Sequence, residues 1–170
     1  MPEIIYKELE LKDCEAYCNI RKIALATFPE SFGATEERDA PVREERFKNT
    51  LKDKNNFMLG AFENNTLVGI TFFNREERTK MAHKGNIYGM FVLKEKQGLG
   101  IGYNLLKLAL EKAFNIDGIK QINLAVVASN DKAVNLYKKL GFKEYGLEKD
   151  SLFVNGKYFD DYLMVRFKDS

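Results

Sequence analysis

Apolar and polar residues recur with two different periods along the chain, and these periods predict strands and helices. Strand-like segments fall at residues 4–9, 56–62, 66–74, 86–93, 121–128, 142–147 and 158–167. Segments with helical spacing fall at residues 13–26, 41–51, 103–114 and 131–140. Neither a repeat nor a linker interrupts this order, so the pattern predicts a single α/β domain over residues 1–170.

Turn signals join several of these segments. Residues 63–65 predict a hairpin between the second and third strands, and Asn155 with Gly156 predicts another between the last two. Gly89 lies inside the fourth predicted strand. A glycine in that position often marks a bulge or a close approach of the backbone to a ligand, so we expect an irregular fourth strand.

A glycine-rich segment between the fourth strand and the third helix is the strongest local signal for a ligand. This segment, the glycine turn, consists of Gln97, Gly98, Leu99, Gly100, Ile101 and Gly102. The glycines leave the backbone open, and the first turn of a helix offers unpaired N–H groups to an anion. The turn therefore predicts a phosphate or pyrophosphate site, with a ligand-free strand-to-helix turn as the alternative.

Two better-known phosphate motifs do not fit the glycine turn. Tyr103 stands where the dinucleotide fingerprint needs its third glycine. The nucleoside-triphosphate loop needs Gly-Lys followed by Ser or Thr, and the chain contains no such triplet.

A second motif follows the fifth strand, where Ser129 and Asn130 are expected to cap a helix that Gly141 ends. Its spaced positions are Asn130, Ala133, Leu136, Tyr137, Leu140, Gly141 and Phe142. The glycine turn resembles the R/Q-x-x-G-x-G/A signature of the GCN5-related N-acetyltransferase (GNAT) family, and the second motif is similar to another motif of that family. Together they cover about half of the chain at the expected spacing.

The resemblance implies a GNAT-like domain, with a mixed, mostly antiparallel seven-stranded sheet flanked by about four helices. It also implies acetyl transfer from acetyl-CoA, whose pyrophosphate would bind backbone amides of the glycine turn. The bulged fourth strand would pair with the pantetheine arm, and a backbone N–H near Phe91 or Val92 would polarise the thioester carbonyl. Asn130 would cap its helix and also bind the cofactor arm.

Tyr137 occupies the position where the resemblance implies an acid for the departing thiolate. Its ordinary pKa of ~10 lies near the ~8.5 of a thiol, so we expect proton sharing without a large shift. The alternative is an ordinary aromatic residue of an amphipathic helix.

The acceptor side is less determined by the sequence. The resemblance implies that the two helices after the first strand shape the acceptor pocket, which predicts acceptor contacts from Glu30, Phe32 and Tyr88. Glu30, Tyr88, His83 and Asp160 remain alternative general bases, beside a water relayed by backbone groups.

Bulk properties limit the function classes. The net charge of +2, from 27 basic and 25 acidic residues, argues against a nucleic-acid partner. No apolar run reaches the ~18 residues of a membrane span, and no export signal is visible, so we expect a cytoplasmic protein. Cys14, Cys18 and His83 supply too few ligands for zinc, so no metal is expected.

The sequence therefore favours an acetyl-CoA-dependent N-acetyltransferase acting on a primary amine of a small molecule or peptide. The alternative is a non-catalytic acyl-CoA-binding module with a sensing or regulatory role. The sequence identifies neither the acceptor amine nor the lysines that meet the 3′-phosphate, and it leaves a homodimer open.

Overall fold

Seven strands form one sheet in the computed structural model, which describes residues 2–170. The strands are β1 (Ile4–Glu8), β2 (Phe57–Glu63), β3 (Thr66–Arg75), β4 (Lys84–Val92), β5 (Gln121–Val127), β6 (Lys143–Val154) and β7 (Lys157–Phe167). Their order is β1-β2-β3-β4-β5-β7-β6, and only β4 and β5 pair in parallel. The predicted mixed, mostly antiparallel sheet is confirmed.

Four α-helices of the described chain cover the two faces of this sheet. They are α1 (Cys14–Thr27), α2 (Glu36–Lys52), α3 (Ile101–Phe114) and α4 (Asp131–Lys139). One hydrophobic cluster joins α3 and α4 to the sheet, and a second cluster joins α1 and α2 to it. The α3 stripe, which consists of Ile101, Leu105, Ala109 and Ala113 at four-residue spacing, is buried in the first cluster. No helix among residues 2–170 is long and apolar enough to cross a membrane.

Helix α2 begins at Glu36, earlier than the predicted start at Pro41. Proline is favoured at the first position of a helix, so a start at Pro41 was predicted, but Pro41 lies inside α2. In the structure Glu36 and Asp39 lie in the first turns, where the helix dipole favours carboxylates, and both accept bonds from Arg43.

Strand β6 runs to Val154, well beyond the predicted end at residue 147. The polar residues after Leu147 break the apolar alternation, but backbone pairing with β7 continues. The register shifts between Glu148 and Leu152, and Asp150 has a left-handed φ of 51°. An irregular edge strand of this kind has no sequence period to reveal it.

Both predicted hairpins are confirmed. Asn64 and Asn65 have φ values of 48° and 65°, and Asn155 and Gly156 have values of 50° and 79°. Two consecutive residues with positive φ match the right-handed twist of the flanking strands, which is why Asn and Gly are favoured there.

The parallel strands β4 and β5 separate soon after they begin to pair. Only Lys84–Asn86 pair with residues 121–123, and beyond this point each strand lacks the other as a partner. Strand β4 also contains a β-bulge. Phe91 pairs with Ile70 and Tyr88 pairs with Phe72, so an interval of three residues on β4 lies opposite an interval of two residues on β3. Gly89, with a φ of 59°, lies in this bulge and confirms the predicted irregularity. We call the gap between the separated strands the split.

Candidate active site

A cavity of about 1150 Å³ occupies the split and opens toward both faces of the sheet. On the α3 and α4 face it is lined by the glycine turn and by the first turns of both helices. On the opposite face it is lined by α1 and by the loop that follows it. The separation of β4 and β5 therefore connects the two sides of the sheet through one opening.

The glycine turn presents free backbone donors to this cavity. Gly98 and Gly100 have φ values of 79° and 80°, a conformation that glycine adopts at little cost. The N–H groups of Gly98, Leu99 and Gly100 have no backbone partner among residues 2–170. Helix α3 begins at Ile101, two residues before the predicted start, so its first free N–H groups extend the same row.

Gly102 has a different role from the other two glycines. It lies inside the first turn of α3, and a Cβ there would stand 3.2 Å from Met90 Cε and 3.5 Å from Leu136 Cδ2. Its missing side chain lets α3 pack closely against β4 and α4.

The side chains of the other three members of the glycine turn lie in different surroundings. The side-chain NH₂ group of Gln97 donates to the Val92 carbonyl at 3.0 Å, and the backbone N–H of Gln97 donates to the Lys94 carbonyl at 3.3 Å. These two bonds hold the turn against the end of β4. Leu99 is 52% exposed and lies outside the cavity lining, whereas the Ile101 side chain is buried in the core.

Strand β4 directs one N–H group into the split beside the bulge. The N–H of Leu93 donates to Val68 of β3 at 2.9 Å. Successive N–H groups of a strand point to opposite edges, so the Val92 N–H points away from β3 and toward the split. The same alternation turns the Phe91 N–H toward β3, and the Phe91 ring packs with Phe28 and Phe32.

Asn130 caps α4 as predicted, because its side-chain oxygen accepts a bond from the Ala133 N–H at 3.2 Å. Its side-chain NH₂ group makes no bond within residues 2–170, and Asn130 lines the cavity. One end of the side chain therefore fixes the helix while the other remains a donor for a ligand.

Tyr137 also lines the cavity, from the buried face of α4. Its ring packs edge-to-face on Phe142 at 5.8 Å, and its hydroxyl makes no hydrogen bond within the described residues. Burial raises the pKa of Tyr137 to about 12, above the ~10 of an ordinary tyrosine. Desolvation of the phenolate causes the shift, and the hydroxyl stays protonated at neutral pH.

The predicted acceptor residues divide into two groups. Phe32 and Tyr88 line the cavity on the α1 and α2 face. Glu30 and His83 lie outside its lining, and the His83 carbonyl accepts a bond from the Lys120 N–H at 2.8 Å.

Asp160 also lies outside the cavity, but the residue after it, Asp161, lines it. Asp160 accepts a bond from the Asp150 N–H at 2.9 Å. Successive side chains of a strand point to opposite faces, so the two neighbouring acids of β7 differ completely in surroundings. The sequence shows that one of them faces inward but does not show which one.

The carboxylate of Asp161 is only half satisfied. Its Oδ2 accepts from Ser151 Oγ at 2.9 Å, whereas its buried Oδ1 has no partner within residues 2–170. Burial raises the pKa of Asp161, and the nearby Glu148 and Asp160 raise it further against the bond from Ser151. A buried carboxylate oxygen without a partner is unusual in a folded protein and needs an explanation.

A model of the acetyltransferase (GNAT) family matches residues 17–142. The chain is 28% identical to the L-amino acid N-acetyltransferase AaaT of Escherichia coli (strain K12), over 99% of this chain and 100% of that protein. It is 36% identical to a spermidine N(1)-acetyltransferase of Vibrio cholerae, over 46% of this chain and 45% of that protein. The chain thus spans about half the length of the first curated relatives it matches.

Among solved structures, yncA of Salmonella typhimurium has a similar fold. It superposes with a TM-score of 0.87 at 19% identity, over 99% of this chain and 95% of that chain, and was solved with its cofactor acetyl-CoA.

Proposed function

This chain belongs to the acetyltransferase (GNAT) family, and on that premise we propose that it transfers an acetyl group from acetyl-CoA to a primary amine. The observation that carries the proposal is a single cavity in which the free amides of the glycine turn and the unpartnered Tyr137 hydroxyl meet. The named relatives act on amino acids and on spermidine, which supports an amine acceptor.

Acetyl-CoA, when bound, supplies an acetyl group on a thioester that an amine can attack. The free amides of Gly98 and Gly100, which line the cavity, suit its pyrophosphate, since a helix N-terminus favours a negative charge. The free NH₂ group of Asn130 suits an amide carbonyl of the pantetheine arm.

Two groups of the chain act on the thioester during the transfer. The Val92 N–H donates to the carbonyl oxygen as it gains charge, the type of contact whose removal costs roughly 10²–10³ in kcat. The Tyr137 hydroxyl donates to the sulfur as the carbon–sulfur bond breaks. Because burial raises its pKa to about 12, Tyr137 acts first as a hydrogen-bond donor to the developing thiolate.

Asp161 supplies the base that the sequence did not identify. The attacking amine must lose a proton, and Asp161, whose buried Oδ1 has no partner within residues 2–170, lines the same cavity. A raised pKa makes this carboxylate a stronger base than an ordinary aspartate. The acid and the base therefore stand on opposite faces of the sheet, on either side of the split.

A non-catalytic acyl-CoA-binding module is the alternative function. Such a module needs the glycine turn and Asn130 but has no use for the unpartnered oxygens of Tyr137 and Asp161. The presence of both residues in the lining of one cavity favours the enzyme.

Binding of the cofactor should be visible as thermal stabilisation. A ligand that binds only the folded state stabilises it by about 2.7 kcal/mol at a hundredfold excess over Kd. Acetyl-CoA and CoA are expected to raise Tm, and NADH or ATP to raise it much less, because the dinucleotide and triphosphate motifs are incomplete. A thermal-shift series over ligand concentration measures this, and an equal shift with NADH would contradict the cofactor assignment.

Replacing Asp161 by Asn should lower kcat/KM by roughly 10²-fold or more, the lower end for general base catalysis. The base works as a carboxylate, so wild-type activity should fall as pH falls through the raised pKa of Asp161. The variant should lose that dependence. Asp160→Asn is the matched control, because Asp160 neighbours Asp161 but lies outside the cavity lining. Equal losses in both variants, measured as rate–pH profiles, would exclude Asp161 as the base.

A further inference from the structure

One mostly buried cation on the acceptor side of the cavity has an ion-pair partner, Asp39, but no hydrogen-bond partner within residues 2–170. Arg21 of α1 lines the cavity, and its side chain is 13% exposed. Its guanidinium carbon lies 5.1 Å from the centroid of the Phe32 ring. Its Nη1 lies 3.5 Å from the point where a Cβ at Gly89 would stand. The guanidinium therefore lies between the aromatic wall and the bulge of β4, beside the split.

The carboxylate nearest to this guanidinium is already occupied. Asp39 Oδ2 accepts from Arg43 Nε at 2.6 Å, and Asp39 Oδ1 accepts from Arg46 Nη1 at 2.8 Å. Arg21 Nε stays 3.7 Å from Oδ2, beyond hydrogen-bond distance. Arg21 makes no hydrogen bond to any side chain or carbonyl of residues 2–170, so its five N–H donors lack protein acceptors.

The cluster also carries more positive than negative charge. Arg43 bonds Glu36 as well as Asp39, so three guanidinium groups share two carboxylates. A mostly buried charged donor without an acceptor is costly, unless a ligand supplies the acceptor. Because the surplus charge faces the cavity, that ligand group should be an anion, and the planar guanidinium fork matches a carboxylate.

We propose that Arg21 binds a carboxylate of the acceptor, so that the substrates are amines that also carry a carboxylate, of which free amino acids are the simplest. This proposal rests on the proposed function and specifies its substrate class. The acceptor side then offers opposite charges to the two ends of a zwitterion, with Asp161 for the amine and Arg21 for the carboxylate. A polyamine carries no anion for Arg21, and a peptide N-terminus has an amide where the amino acid has its carboxylate.

The test compares each substrate with its uncharged analogue. The kcat and KM values are measured for a panel of L-amino acids, each paired with its carboxamide, and for spermidine. The wild type should prefer the carboxylate forms by at least about tenfold, because a carboxamide leaves the guanidinium donors without an anionic acceptor. In Arg21→Gln the KM for amino acids should rise by about 10- to 100-fold with little change in kcat, while the carboxamides are little affected.

Arg46→Gln is the matched control for this variant. It removes another guanidinium from the same Asp39 carboxylate, but Arg46 is 53% exposed and lies outside the cavity lining. It should keep the preference for carboxylates. A wild type that accepts carboxamides or spermidine as well as amino acids would overturn the proposal, as would an equal loss of preference in both variants.

A binding measurement separates this proposal from the transfer reaction. N-acetyl-L-amino acids keep the carboxylate but lack a reactive amine, and their affinity is measured by calorimetry in the presence of CoA. Weaker binding to Arg21→Gln than to the wild type and Arg46→Gln supports the carboxylate site, even if no amine is acetylated. Absent or equal binding in all three proteins overturns it, even if other amines are acetylated.

Discussion

Replacing Gly100 by Glu is expected to lower the affinity for CoA by at least about 100-fold. Gly100 caps α3, and its position is open to the cavity. A carboxylate there would stand against the bound pyrophosphate, and two charges about 4 Å apart repel by roughly 4 kcal/mol at an effective dielectric constant of about 20. Calorimetric titration with CoA measures the loss.

Gly156→Glu is the control for strain and charge in this experiment. Gly156 has a φ of 79° against 80° for Gly100, and no atom lies within 4 Å of its added Cβ. It lies in the β6–β7 hairpin, outside the cavity lining. This variant carries the same backbone strain and the same charge, so it should bind CoA like the wild type. If Gly100→Glu also binds CoA normally, the pyrophosphate does not bind at the glycine turn.

Replacing Tyr137 by Phe is expected to lower kcat by roughly 10²-fold and to leave CoA affinity nearly unchanged. The change removes one hydroxyl and little volume, and the ring can still pack on Phe142. With the pKa of Tyr137 raised to about 12, the hydroxyl stays protonated from about pH 6 to 9, so the ratio of the two kcat values should stay constant over that range. Steady-state kinetics with a substrate amine measures kcat, and calorimetric titration measures the affinity for CoA.

The stability of the same variant separates catalysis from packing. The hydroxyl makes no hydrogen bond within residues 2–170, so its removal should leave Tm unchanged or slightly higher. Tyr17→Phe is the control, because Tyr17 is another largely buried tyrosine, packs on Phe47 at 4.9 Å, and lies outside the cavity lining. It should keep full activity. A wild-type kcat in Tyr137→Phe would leave Tyr137 as a packing residue.

Much of the fold follows from local signals in the sequence. The α3 stripe, the Asn130 cap and the paired turn residues each impose a local geometry, and the structure has all of them. Segments in which apolar residues do not recur at a regular spacing were predicted less accurately. Pro41 delayed the predicted start of α2, and polar residues after Leu147 hid the second half of β6, whose pairing depends on backbone contacts with β7.

The cofactor side of the site was easier to predict than the acceptor side for a physical reason. Backbone amides at a glycine turn are set by the local chain, so Gly98 and Gly100 can be recognised from their neighbours. Arg21 and Asp161 come from distant parts of the chain and become important only where α1 and β7 face the same cavity. Their unpartnered atoms can be recognised only when every contact in the fold is known.

Amine-dependent release of thiol from acetyl-CoA, with mass detection of the acetylated amine, tests directly whether the protein transfers the acetyl group. The wild type and the Gly100→Glu and Tyr137→Phe variants are compared across amino acids, polyamines and peptides. We expect thiol and acetylated product to appear together in equal amounts with at least one amine, and both variants to lose most of this activity. Tight binding of acetyl-CoA without amine-dependent thiol release from any of these acceptors would contradict it and favour an acyl-CoA-binding module.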